Sequence, residues 1–152
     1  LNKEPCRPQR LLLKIVEEQQ RKAYKKQQKI LITQSDDKLC TADPSRLKQV
    51  FENLISNALK YSPAGATIEV KSYFGNAQWC CEIKDQGPGF TEEDKKNLYG
   101  FFQRLSAKPT GGESSTGVGL AIVKQIVDLH QGSLNLKNNP STGATFTFCL
   151  PC

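Results

Sequence analysis

The segment between Asp43-Pro44 and Ser62-Pro63 constrains the fold more than any other part of this chain. Asp43 suits a helix N-cap and Pro44 suits the first helical position, whereas Pro63 stops a helix, so one helix is predicted over residues 44–60. Apolar residues recur along it at helical spacing, at Leu47, Val50, Phe51, Leu54, Ile55 and Ala58. This helix must therefore bury one face against a core.

A polar strip flanks that apolar stripe. At about 100° per residue, Asn53, Asn57 and Lys60 fall within about 60° of one another on the helix surface. Asparagine is a mediocre helix former, so two of them one turn apart need an explanation. Their oxygens suit a magnesium ion that already carries phosphate charge, although capping or solvation explains the pair equally well at this point.

The remaining pattern predicts the fold class. Residues 11–29 and 118–130 predict helices, the second closed by Gly132, and a capping box at residues 91–94 predicts a short helix. Strands are predicted at residues 30–33 and 38–41 around a polar turn, at 67–74 and 77–84 as a hairpin, and at 134–136 and 144–150. Because strands and helices do not alternate, we predict an α/β (α+β) fold. In this two-layer α/β sandwich, helices cover one face of a mixed, mostly antiparallel sheet.

Composition argues against two other classes of protein. No stretch approaches the roughly 18 apolar residues of a membrane helix. The net charge is +6, and a basic cluster comprises Arg21, Lys22, Lys25, Lys26 and Lys29. Only Tyr24 is interleaved with these residues, whereas stacking on nucleic acid uses several aromatic rings. We therefore expect a solvated helix face and no nucleic-acid partner.

The six cysteines show no recognisable framework of spacings. A domain of this size does not require disulfides. Cys149 and Cys152 form a CxxC motif that lacks the following helix of a redox site and the second ligand pair of a zinc site. We therefore expect reduced, mostly buried thiols.

Two glycine motifs are candidate ligand sites. Asp85, Gly87 and Gly89 follow a predicted buried strand, so a carboxylate that can accept a hydrogen bond from adenine's amine precedes a sharp bend, although DxGxG alone is equally a turn. Gly117 and Gly119 begin the last predicted helix, where free backbone N–H groups can cradle phosphate. The small and polar residues 106–116 before them are typical of a mobile lid.

In this order, the motifs resemble those of the catalytic ATP-binding domains of sensor histidine kinases. Residues 43–63 are similar to the family's N-box, 85–89 to its first glycine box, 98–104 to its phenylalanine box and 116–124 to its second glycine box. The resemblance implies the Bergerat-type ATP-binding fold shared with type II topoisomerases, heat-shock chaperones and mismatch-repair ATPases. It also implies ATP and Mg²⁺ as cofactors.

The resemblance assigns residues to the phosphate end of the site. Asn57 would hold the magnesium ion with Asn53 beside it, and Lys60 would contact phosphate. Arg104 would reach the γ-phosphate from the lid. The residues that would wrap the phosphates are Gly117, Val118, Gly119 and Leu120.

The resemblance assigns other residues to the adenine end of the site. Tyr61 would lie against the adenine or ribose, and Asp85 would bind the adenine amine. Gly87 and Gly89 would shape that pocket, and Thr145 would support it through Asp85.

The expected chemistry is phosphoryl transfer. Hydrolysing relatives carry a glutamate at the position of Asn53, as the superfamily implies, and Asn53 cannot act as a general base, so no catalytic residue is assigned. The single histidine, His130, lacks a phosphoacceptor context and is expected to cap the last helix, where the dipole favours its protonated form. The γ-phosphoryl group is therefore expected to go to a histidine on a separate dimerisation and histidine-phosphotransfer domain.

We expect residues 1–152 to form one catalytic domain with an ATP lid at residues 101–117 and without the phosphoacceptor domain. The fragment is expected to be a cytoplasmic monomer. Its parent is expected to be a homodimer, membrane-anchored in some architectures, that acts indirectly on a response regulator. An anti-sigma-type serine kinase and a non-catalytic ATP-sensing module are the alternatives.

Overall fold

A five-stranded mixed sheet with helices packed against it forms the centre of the molecule. The computed structural model describes residues 1–97 and 119–152. The helices are α1 (Pro8–Lys25), α2 (Pro44–Tyr61), α3 (Glu92–Asn97) and α4 (Gly119–Leu129). The strands are β1 (Glu4–Cys6), β2 (Lys29–Ser35), β3 (Cys40–Ala42), β4 (Thr67–Gly75), β5 (Gln78–Lys84), β6 (Ser133–Asn138) and β7 (Ala144–Pro151).

The main sheet has the order β2-β4-β5-β7-β6. Only β2 and β4 pair in parallel, and the other neighbours are antiparallel. Strands β1 and β3 form a separate two-stranded antiparallel sheet. The predicted fold class, a mixed and mostly antiparallel sheet in a two-layer α/β arrangement, is therefore confirmed.

The core lies between α2 and the sheet. Every residue of the predicted apolar stripe of α2 is buried. Phe51 from this helix meets Trp79 of β5 and Phe148 of β7 edge to face, at centroid distances of 5.9 and 6.1 Å. Such aromatic pairs contribute about 0.5–1.5 kcal/mol beyond their buried area, so they fix α2 firmly on the sheet.

The two strands predicted around the polar turn at residues 35–37 lie in different sheets. The chain does not reverse there, because Asp36 is held along the main sheet. Its N–H donates to the Ser72 carbonyl, its carboxylate accepts from the Phe74 N–H, and its carbonyl accepts from Trp79 Nε1. Strand β3 instead pairs with β1, which the sequence did not reveal because Pro5 interrupts a three-residue strand.

The expectation of reduced thiols is wrong for four of the six cysteines. Cys40 is bonded to Cys152 and Cys80 to Cys149, whereas Cys6 and Cys81 are free. The register of β5 and β7 places Cys80 directly opposite Cys149, with the Cα atoms 4.1 Å apart. A cysteine spacing in sequence does not show this register, which depends on long-range strand pairing.

Within the described ranges, no helix has the combination of length and hydrophobicity that crossing a membrane requires.

Candidate functional site

The polar strip of α2 is half-buried and has unused hydrogen-bonding capacity. Asn53 Nδ2 donates to the Gln49 carbonyl at 2.9 Å, so its Oδ1 is directed away from its own helix backbone. Neither this oxygen nor the carboxamide of Asn57 is hydrogen-bonded to any described residue. The pair does not cap α2, because the N-cap is Asp43, whose carboxylate accepts from the Ser45 and Arg46 N–H groups. Two neutral oxygen ligands are therefore available on one helix face.

The first turn of α4 lies directly against this strip. A Cβ atom on Gly119 would come within 3.0 Å of Asn53 Oδ1, so glycine permits this approach. The next residue, Leu120, is buried and anchors the start of the helix in the core. The first described turn of α4 thus adjoins the carboxamides. The predicted phosphate ligands Gly117, Val118 and Arg104 lie outside the described residues, as does the predicted lid.

The bend after β5 lies against the other end of α2. A Cβ atom on Gly87 would meet the Tyr61 carbonyl oxygen at 2.7 Å, so only glycine allows the bend to pack there. The Gln86 N–H donates to Ser62 Oγ at 3.0 Å, and Ser62 is completely buried. Gly89 has a φ of +79°, a backbone conformation that favours glycine.

The carboxylate of Asp85 has two inequivalent oxygens. Oδ1 accepts from the Gly87 N–H at 3.0 Å and from the Ala144 N–H at 2.9 Å. Oδ2 accepts no hydrogen bond from the described part of the chain. Burial raises the pKa of the Asp85 carboxyl, and the N–H groups of Ala144 and Gly87 act in the opposite direction. This arrangement leaves one oxygen of a desolvated carboxyl group for an external N–H donor.

Three side chains that the sequence did not single out support this bend. Asn139 Nδ2 donates to the Asp85 carbonyl at 3.2 Å, and Thr142 Oγ1 donates to the Gly87 carbonyl at 3.0 Å. Asn138 binds the backbone of Phe90 with both its amide oxygen and its amide nitrogen. The sequence between the strands predicted at residues 134–136 and 144–150 gave no signal for this group beyond its turn-forming Asn139-Pro140 pair.

Thr145 contacts the site indirectly. Its Oγ1 donates to Asn139 Oδ1 at 2.6 Å, and Asn139 in turn holds the backbone carbonyl of Asp85. The expected support for Asp85 therefore runs through Asn139 and the main chain, without a contact to the carboxylate.

His130 follows the last residue of α4 as its C-cap, as expected, and backbone groups engage both of its ring nitrogens. Its Nδ1 lies 2.9 Å from the Ile126 carbonyl, which can only accept, so Nδ1 carries a proton. Its Nε2 lies 3.0 Å from the Asp43 N–H, which can only donate, so Nε2 carries none. Gln131, with a φ of 58°, makes the left-handed turn after the helix, and Gly132 follows it.

The predicted pieces converge along α2. The start of α4 lies at Asn53 and the glycine bend lies at Tyr61. At 1.5 Å per residue, these positions are about 12 Å apart along the helix axis. The polar side of α2 therefore has oxygen ligands and the first described turn of α4 at one end, and the bend that carries the Asp85 carboxyl group at the other.

Comparison with known proteins gives the family. Residues 42–152 match the family described as "Histidine kinase-, DNA gyrase B-, and HSP90-like ATPase". This match spans most of the chain, and the chain belongs to this family.

Sensor kinases are among the relatives that this chain resembles in sequence. The chain is 37% identical over 129 residues to the sensor protein KdpD of Clostridium acetobutylicum, covering 84% of this chain and 14% of the relative. It is 38% identical over 112 residues to the adaptive-response sensory kinase SasA of Prochlorococcus marinus, covering 72% of this chain and 29% of the relative. The chain thus corresponds to less than a third of the length of either relative.

Solved structures of histidine kinases have the same fold as this chain. The mycobacterial sensor histidine kinase MprB superimposes with a TM-score of 0.84 at 27% identity, covering 97% of this chain and 96% of that one. The catalytic domain of the histidine kinase ThkA gives a TM-score of 0.85 at 24% identity, which concerns the fold alone. Within its family, the chain is therefore an ATPase domain of the histidine-kinase type, homologous to the sensors of two-component systems.

Proposed function

We propose that this chain binds Mg-ATP in a groove beside α2, between the start of α4 and the Asp85 bend, and donates the γ-phosphoryl group to a histidine on a separate dimerisation domain. One observation carries the proposal: two carboxamides with unused oxygens lie between the start of α4 and the Asp85 bend. An ATP molecule has an amine-bearing base at one end and a magnesium-bound phosphate chain at the other, which matches the two ends of this groove.

The donor set on α2 fits a magnesium ion. Asn53 and Asn57 offer neutral, hard oxygens, and such ligands suit an ion whose remaining sites are filled by phosphate and water. These two residues would hold the ion, which supplies charge neutralisation to the phosphates when bound.

The same geometry assigns the phosphate contacts. Lys60, on the same helix face, would contact phosphate, and the backbone N–H groups of Gly119 and Leu120 would bind it as those of a helix N-terminus do. From the family resemblance alone, we extend this cradle to Gly117 and Val118. On the same basis we assign Arg104 to the γ-phosphate and a lid to residues 101–117.

At the other end, Asp85 Oδ2 would accept the hydrogen bond of the adenine amine. Tyr61 would lie against the adenine or ribose. Gly87 and Gly89 keep the backbone close enough for a flat ring, and Thr145 stabilises this wall through Asn139.

The site is suited to transfer and poorly suited to hydrolysis. The position nearest the start of α4 is Asn53, and a carboxamide cannot remove a proton from water. Phosphoryl transfer to an activated acceptor requires mainly in-line positioning and charge neutralisation. We therefore expect slow ATP hydrolysis by the isolated chain and no autophosphorylation at His130, which is buried with both ring nitrogens engaged.

The parent protein would be a homodimeric two-component sensor. Its dimerisation domain would supply the acceptor histidine, and a response regulator would receive the phosphoryl group. This catalytic domain would be a monomer on the cytoplasmic side, whether or not the parent is membrane-anchored.

Calorimetric titration with Mg-ATP tests the site. We expect binding by the parent chain that is lost in Asn57→Ala and in Asp85→Ala. Asn135→Ala, an exposed asparagine on β6, is the matched control and should bind like the parent. If either site variant retains parental affinity, the site is wrongly assigned.

A transfer assay with γ-labelled ATP tests the acceptor. A dimerisation domain bearing histidine should become labelled, and the same domain with serine at that position should not. Labelling of serine would support the serine-kinase alternative. Tight ATP binding without transfer to either domain would support the ATP-sensing alternative.

A further inference from the structure

We propose that His130 is a positioning residue that holds the start of α4 against Asn53 from the opposite end of the helix. This inference rests on the proposed function, because it concerns how the phosphate end of that site is held in place. His130 does not contact the groove, and it acts through α4 and α2.

The contact is a bridge between two helix ends. His130, at the C-cap of α4, is only 4% exposed. Its Nδ1–H donates to Ile126 of its own helix at 2.9 Å, and its Nε2 accepts from the Asp43 N–H at 3.0 Å. Asp43 is the N-cap of α2, the helix that carries the carboxamides.

The Asp43 N–H has no local partner to replace His130. In a capping box, the side chain three residues after the N-cap accepts this N–H, but here that residue is Arg46, which has no acceptor. The carboxylate of Asp43 is occupied by other N–H donors, those of Asn2, Ser45 and Arg46. Without His130, a buried backbone donor would lose its acceptor, which is unfavourable.

Helix lengths connect this bridge to the site. From Asp43 to Asn53, α2 advances about 15 Å, and from Gly119 to His130, α4 advances about 16 Å at the same rise per residue. His130 meets Asp43 while Gly119 meets Asn53, so the two helices lie antiparallel with both pairs of positions matched. Fixing one end of α4 therefore fixes the distance of the other end from the carboxamides.

Two substitutions distinguish the bond from His130 to Asp43 of α2, which is the bridge, from its bond to Ile126, which caps α4. Asparagine places its amide nitrogen near the position of Nδ1, so His130→Asn can keep the bond to Ile126 and loses the bridge. Glutamine places its amide oxygen near the position of Nε2, so His130→Gln can keep the bridge and loses the bond to Ile126.

The readout is the ratio of two affinities, that for Mg-ATP and that for adenosine. Both are measured by NMR titration. Adenosine engages only the Asp85 end, which α4 does not form. We expect His130→Asn to weaken Mg-ATP binding about five- to tenfold, as expected when a buried N–H loses its partner, while adenosine binding stays within about twofold. His130→Gln should restore Mg-ATP affinity to near the parental value.

A control removes core volume elsewhere. Ile30→Ala in β2 truncates a buried residue and should lower stability without changing the ratio of the two affinities. The inference is overturned if this control shows the same ATP-selective loss. It is also overturned if His130→Asn binds Mg-ATP like the parent, or if His130→Gln loses as much Mg-ATP affinity as His130→Asn. If the parent itself binds no Mg-ATP, the proposed function fails and this inference fails with it.

Discussion

At the scale of single residues, Asp85 is the residue that we propose recognises the base. It could be singled out from the sequence, because an acid followed by two glycines after a buried strand is an informative local pattern. The difference in hydrogen bonding between its two carboxylate oxygens could not be predicted. It depends on the Ala144 N–H, which comes from a strand 59 residues away.

Asp85→Asn should therefore change base preference while preserving the bend. The amide oxygen would keep the bonds from Gly87 and Ala144, which places the amide nitrogen, a donor, at the position of the free Oδ2. Two donors would then face each other when adenine binds, and we expect about tenfold or greater loss of ATP affinity. The loss for GTP, whose ring carries an acceptor at that position, should be smaller. Equal losses in paired calorimetric titrations would contradict this account.

The raised pKa of Asp85 predicts opposite pH trends for binding and stability. The proposed contact with ATP uses the ionised carboxylate, so affinity should fall as the pH drops through the raised pKa, above the ordinary aspartate range. The folded state holds the Asp85 proton more tightly than the unfolded state. This residue's contribution to stability should therefore decrease as the pH rises between the ordinary and the raised pKa. Urea unfolding at pH values between the ordinary and the raised pKa, with and without ATP, measures both trends. Both pH dependences should be weaker in Asp85→Asn.

At the scale of secondary-structure elements, features set by the local sequence could be predicted. Pairings between segments that are distant in sequence could not. Helix α2 and the β4–β5 hairpin could be predicted because caps, turns and periodicity lie within each element. The capping box of α3 is another local example, with Thr91 and Asp94 each accepting the other's N–H. The pairing of β3 with β1 could not be predicted, because nothing local distinguishes one partner strand from another.

The contacts at the C-terminal end of α2 could not be predicted either, because they come from a distant segment of the chain. Its last carbonyls are capped by side chains from the segment between α1 and β2. Gln28 Nε2 donates to the carbonyls of Leu59, Ser62 and Pro63, and Lys26 Nζ donates to those of Leu59 and Lys60. This capping holds the turn that carries the predicted base and phosphate contacts.

Gln28→Ala should therefore destabilise the whole fold. It would remove the side-chain donor to the Ser62 carbonyl and one of the donors to each of the Leu59 and Pro63 carbonyls, and we expect the free energy of unfolding to fall by about 1–3 kcal/mol in urea denaturation. Lys25→Ala, an exposed residue at the end of α1, should change it by less than about 0.5 kcal/mol. Similar values for the two variants would show that Gln28 does not cap α2.

At the scale of the whole molecule, the structure brings the start of α4 and the Asp85 bend against the two ends of the polar strip of α2. The sequence indicated which motifs to join, because their order resembles that of a known family. It could not indicate the supporting contacts of Asn138, Asn139 and Thr142, or the partners of the cysteines. The loops closed by the two disulfides span 112 and 69 residues, and connectivity over such separations follows only from the assembled sheet.

The central claim is that one groove beside α2 binds the whole nucleotide. The most direct measurement is an isotope-edited NMR titration with Mg-ATP that follows every backbone amide. The account predicts that amides of α2 from Asn53 to Tyr61, of residues 85–89 and of the start of α4 shift together with a single dissociation constant. Shifts confined to the basic face of α1, or different dissociation constants for the three groups of amides, would contradict it.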